Sequence, residues 1–186
     1  MVKLVSGVGF NDADYNVVSH NVVCGKRVQV MCPYYRKWKG MLSRCYSEAW
    51  LNKYPTYVGC IVCDEWLTFS KFKAWMETQD WEGKQLDKDL LGDGKLYSPE
   101  TCCFISGGLN KFLTLRANDR GSLPVGVSKS DGGFVVKVNH PKTGKLHYVG
   151  YYKDVSKAAL AWKTCKIDFC NLIEELTQNE LLFSKV

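Results

Sequence analysis

The chain has no run of the roughly 18 apolar residues that a bilayer-spanning helix requires, so none of it is expected to cross a membrane. The opening stretch MVKLVSGVGFNDADY lacks the apolar core of a signal peptide and includes Asp12 and Asp14. A soluble, cytoplasmic protein is therefore the expectation. Histidine is scarce: His20, His140 and His147 are the only three. Disulfides are not expected either, because the 9 cysteines are odd in number and no secretory signal accompanies them.

What is present argues for packed cores. Apolar residues make up 46% of the 186-residue chain and aromatics 13%, which excludes a disordered polyelectrolyte and suffices for one or two domains. The formal net charge is +6. Residues 1–115 hold 14 Lys and Arg against 12 Asp and Glu, and residues 116–186 hold 11 against 7. The excess therefore leans C-terminal, with a second basic cluster from Lys26 to Lys53, and such a balance suits a polyanionic partner.

Along the chain, residues 1–30 read as short strands and turns. From Pro33, YYRKWKGMLSRCYS places Tyr35, Trp38, Met41, Leu42 and Cys45 at helical spacing. Arg36, Lys37, Lys39 and Arg44 fall largely off that stripe and are candidate phosphate contacts. A second helical pattern carries Trp66, Phe69, Phe72, Trp75 and Met76, with Thr68 or Ser70 as cap. Cys60-Ile-Val-Cys63 has zinc-ligand spacing, and Cys102-Cys103 could add ligands, but the alternation around Cys60 reads as a buried strand with core thiols.

The segment QLDKDLLGDGKLYSPETCCFISGGLN, residues 85–110, reads as strand, Gly-rich turn, strand and helix start. Asp87 and Asp89 close the first strand, where period-two alternation aims them to one face and Lys88 to the other. Asn110 sits on the helix. Asp87 and Asn110 are oxygen donors of the kind Mg²⁺ accepts. Lysine is a poor base at neutral pH, so Lys88 suits a cation on a phosphate. Tyr97, Asp89 or a metal-bound hydroxide remain as bases. Beyond a polar linker at 116–122, PVGVSKS, GGFVVKVNH and KLHYVGYY alternate as three strands, and an amphipathic helix follows over roughly 154–175. The open face of that sheet is expected to carry Lys129, Lys137, Lys145, His147 or their neighbours.

Two resemblances meet on these residues. The C-terminal segment resembles an AP2 DNA-binding domain at Gly126-Val127, Phe134, Gly150-Tyr151 and Ala158-Ala159-Ala161. The upstream hairpin resembles the HNH, or His-Me finger (ββα-metal), motif of phage and intron homing endonucleases, which often carry an AP2 module. In that motif Asp87 takes the place of the metal-binding Asp and Asn110 that of the ligand on the helix. Lys88 stands where the general-base His belongs, and Thr101 where an Asn would orient that His. The resemblance implies an α+β fold: residues 1–115 as an HNH-like domain with its hairpin at 84–113, and 123–186 as an AP2-like three-stranded antiparallel sheet on one helix. It implies a Mg²⁺- or Mn²⁺-dependent DNA endonuclease or nickase, monomeric or homodimeric, working on double-stranded DNA in the cytoplasm of an infected bacterium. The Lys88 and Thr101 departures leave a second expectation, a DNA-binding protein on a catalytically degenerate scaffold. A protein-interaction role is the third.

Overall fold

The computed structural model describes residues 3–113 and 122–173, and these form a mixed α+β structure of small sheets and five α-helices. The chain divides into two compact units, Met1–Phe104 and Ile105–Val186. The linker expected at 116–122 lies outside the described residues except for Ser122. No helix among the described residues is long and apolar enough to cross a membrane.

The first unit opens with an antiparallel ribbon, β1 (Val18–Val23) and β2 (Lys26–Met31). Cys24 and Gly25 join them, both at positive φ (50° and 73°), the backbone that a two-residue hairpin turn demands. Helix α1 (Pro33–Tyr46) follows, with the proline at its start as expected. Its buried residues are Tyr35, Trp38, Met41, Leu42 and Cys45, the stripe read from the sequence. A short helix α2 (Glu48–Lys53) and a 3₁₀ turn lead to β3 (Ile61–Val62).

Helix α3 (Phe69–Glu77) buries Phe69, Phe72 and Met76 against Trp38 and Trp66. Trp38 donates its indole N–H to the Trp66 carbonyl at 2.6 Å, which satisfies a polar atom inside the core. Thr68 occupies the N-cap position of α3 but makes no side-chain cap bond. Asp12 supplies it instead, accepting from the Ser70 N–H at 2.9 Å and from the Ser70 hydroxyl at 2.5 Å. Burial works to raise the Asp12 pKa, but the bonds from Ser70 outweigh it and hold this carboxyl below its ordinary range.

The hairpin region differs from its sequence reading. β4 spans only Gln85–Asp87 and pairs with β6 (Cys103–Ile105), within which the division between the units falls. Between them, β5 (Leu96–Tyr97) leaves the hairpin and pairs in parallel with β3. Helix α4 (Gly107–Leu113) opens the second unit, with the Ser106 hydroxyl accepting from the Leu109 N–H at 3.1 Å.

The rest of the second unit is a sheet in the order β7 (Val127–Ser130), β8 (Gly133–Asn139), β9 (Leu146–Tyr152), wholly antiparallel, backed by α5 (Val155–Cys170). Val127, Val136 and Ala158 form its core, with Phe134, Val149, Tyr152 and Trp162 packed around them. Gly126 has φ +70°, and a Cβ there would lie 2.0 Å from Trp162 Cδ1, so both backbone and packing require glycine.

Candidate active site and basic groove

Strand β4 ends at Asp87, and the chain bends at Lys88. The alternation expected for Asp87, Lys88 and Asp89 therefore fails. Asp87 and Lys88 are both buried, at 8% and 5% exposure, while the Asp89 side chain is 68% exposed. Asp87 Oδ1 accepts the backbone N–H groups of Asp89 (3.0 Å) and Leu90 (2.9 Å) and so closes the turn. Burial pushes its pKa up, and those two bonds only partly offset the rise.

Lys88 Nζ donates to Asp89 Oδ1 at 2.6 Å and lies 5.5 Å from the centre of the Tyr57 ring and 5.7 Å from that of Tyr97. Burial would lower its pKa, but the bond and charge of Asp89 hold it above the ordinary lysine value. Lys88 is thus a fixed ammonium at neutral pH and not a base. Tyr97 is 1% exposed, and burial drives its phenol upward, with the Arg44 guanidinium 5.5 Å from its ring. Burial and a raised phenol pKa both weigh against Tyr97 among the three candidate bases. Asp89, exposed beside the bend, keeps an accessible carboxylate.

Thr101 does not reach toward Lys88's ammonium in the manner of an orienting amide. Its hydroxyl donates to the Leu96 carbonyl at 2.7 Å and accepts from the Ser98 N–H at 3.1 Å, tying the loop after β5. Asn110 lies on α4, in the second unit, whereas Asp87 lies in the first.

Among the described residues no group of three or more His, Cys, Asp or Glu is placed to hold a metal ion. All nine cysteines are free thiols. Burial pushes Cys45 and Cys102 up to about 12 and raises Cys63, so these thiols pack as small apolar groups. Asp87 fits one part of a hard-cation site: it is a desolvated carboxylate whose neighbouring ammonium is given to Asp89.

Beside this bend the first unit carries a groove of about 690 Å³ lined by Arg36, Lys39, Arg44, Lys53, Trp50 and Tyr57, among others, and by no acidic residue. Three of its cations are those singled out in the sequence. Trp50 and Tyr57 were missed, and Lys53 was read only as the far end of the basic cluster; α2 and the 3₁₀ turn after it bring all three to the groove. Lys37 is elsewhere: its ammonium donates to the Lys84 carbonyl and lies 5.8 Å from the centre of the Phe104 ring. Burial, helped by the charge of Arg44, lowers its pKa. Tyr57 belongs to both places, since its ring lines the groove and also faces the Lys88 ammonium.

On the second unit's sheet, Lys137 pairs with Tyr148 and stands on the open face, which also carries Tyr151 and Leu146. His147 pairs with the buried Val138, and its ring lies 5.4 Å from Phe169 of α5, so it sits on the helix side. Lys129 pairs with Phe134 and shares that face. Lys145 is exposed in the β8–β9 turn. The open face is therefore more aromatic and less basic than strand alternation alone predicts. Comparison with protein-family models, curated proteins and solved structures gave no match.

Proposed function

We propose that the chain binds double-stranded DNA and cleaves or nicks it as a metal-dependent endonuclease of the HNH/AP2 homing type. The observation that carries this reading is the groove lined by Arg36, Lys39, Arg44 and Lys53, which holds no acidic side chain and meets the Asp87–Asp89 bend at Tyr57. Cations spaced along one groove with two aromatic rings suit a phosphate backbone. The buried Lys88 ammonium would then face the scissile phosphate as a fixed positive charge, and Asp89 is the residue left to accept a proton from water. Asp87 is the oxygen donor of this unit that would hold Mg²⁺ or Mn²⁺, which would supply charge neutralisation at the phosphate and the leaving oxygen. The second unit, a three-stranded antiparallel sheet backed by one helix, would add contacts to the same duplex in the manner of the AP2 domains it resembles in sequence. The place of action on this reading is the cytoplasm of an infected bacterium.

One observation favours a second reading. Lys88 is neutralised by Asp89 at 2.6 Å, and Thr101 is spent on the loop, so the two positions that depart from the HNH pattern serve structure. On that reading the scaffold binds DNA without cutting it.

A supercoiled-plasmid assay with Mg²⁺ or Mn²⁺ against EDTA separates the two. Asp87→Asn is the variant of choice, because an amide oxygen can still accept the Asp89 and Leu90 N–H groups. Metal-dependent relaxed circles, lost in Asp87→Asn while DNA binding persists, are the expected result. Binding without cleavage by the unaltered protein, across DNA of varied sequence, selects the degenerate scaffold. Failure to bind any duplex at low salt overturns both and leaves a protein-interaction role.

A further inference from the structure

The β1–β2 ribbon is built for contact with something outside the unit. Only Val18 and Met31, the pair at its base, are half-buried; every other residue of the two strands is exposed, Val22 at 74%. A bare two-stranded hairpin gains little from folding in water, and exposed ribbon edges invite unwanted pairing. The sequence from Asn16 to Cys32, NVVSHNVVCGKRVQVMC, contains Lys26 and Arg27 and no acidic residue.

The register assigns the faces. Val18 pairs with Met31, His20 with Gln29 and Val22 with Arg27, and directly paired residues share a face. One face thus runs from Met31 through His20 and Gln29 to Arg27 near the tip. Met31 itself lines the basic groove beside Arg36 and Lys39. The row of donors and acceptors therefore continues the groove outward. Six residues per strand give an arm about 20 Å long, and the major groove of B-DNA, about 12 Å wide, admits a two-stranded ribbon.

We infer that the β1–β2 ribbon is a DNA-reading arm that enters the major groove of a duplex held in the basic groove, presenting Arg27, Gln29 and His20 to base edges. This rests on the DNA-binding reading above. Arginine suits guanine and glutamine suits adenine at those edges, and Val22 can meet thymine methyl groups. Lys26 at the turn is placed for a flanking phosphate.

The test is fluorescence anisotropy of the full chain on a mixed-sequence 30-base-pair duplex (about three helical turns) over a salt series. The unaltered protein, Arg27→Ala/Gln29→Ala and the groove variant Arg36→Ala are compared, with thermal melting as a folding control. The arm variant should melt as the unaltered protein does and bind about tenfold or more weakly. Equal affinity in the arm variant, with Arg36→Ala weakened, overturns the arm and leaves the groove reading standing. No binding by the unaltered protein overturns both. A dimer in sedimentation that the arm variant breaks, with DNA affinity unchanged, makes the ribbon a protein interface and also overturns the inference.

Discussion

Asp87 and Lys88 adjoin in sequence, and each answers the cost of burial in its own way. Lys88 keeps its charge by taking Asp89 as a partner; Asp87 has two backbone N–H groups and only lesser help from the nearby charge of Lys88. A carboxyl whose folded pKa is raised holds its proton more tightly than the unfolded chain does, so its contribution to stability declines as pH climbs above 3.8, the unperturbed value. At pH 7 the Asp87 charge is a burden on the fold. Asp87→Asn should therefore melt at the same or a higher temperature than the unaltered protein while losing metal-dependent cleavage. A large drop in melting temperature would show that the carboxylate itself stabilises the bend.

Lys166 gives the opposite sign with pH. Its ammonium lies 3.4 Å from the centre of the Phe112 ring and donates to the Phe112 carbonyl, and burial lowers its pKa from 10.5 to about 8. Between those values the unfolded chain binds the extra proton, so this residue's contribution rises with pH through that window. Lys166→Met should be more stable than the unaltered protein near pH 7, and its advantage should shrink as pH passes 8. Melting curves of both proteins from pH 7 to about 9.5 check this; a constant difference would remove the titration from the account.

At the scale of elements, local pattern and local chemistry agree in the helices. The stripe on α1 is buried as the 3.6-residue period requires, and Asp154 caps α5 by accepting the Lys157 N–H at 2.8 Å. Asp154→Ala should cost about 1 kcal/mol in chemical denaturation, with no change of fold by circular dichroism; no measurable loss would mean the cap is replaced by solvent. The strands were less legible. Two-residue β5 pairs in parallel with β3, some 35 positions upstream, a partner that no local alternation announces. The β4 strand stops at Asp87 because that side chain captures the next N–H groups, so the period-two rule has no strand left to act on.

On the scale of the whole molecule, the first unit concentrates positive charge in one groove, while the second carries an aromatic sheet face with Lys137 on it. If groove cations sit on phosphates, binding must weaken with salt in proportion to the number of phosphates neutralised. Arg36→Ala/Lys39→Ala should flatten the slope of log affinity against log salt by about 0.9 for each phosphate that is no longer neutralised. An unchanged slope would place the phosphate backbone elsewhere.

The sequence by itself determined the elements whose signal is local: the apolar stripes of α1 and α3, the three alternating strands before α5 and the basic cluster near Arg36. These follow from periodicity, capping and charge within a few residues. Only the tertiary structure decided what depends on distant partners. It buried Lys88 between two tyrosines, buried Tyr97, placed His147 on the helix side of its sheet and brought Lys53, Trp50 and Tyr57 into the groove with Arg36. Burial and pairing are properties of neighbours in space, and for these residues the neighbours come from elements far apart in the chain or from a register that a single strand does not encode.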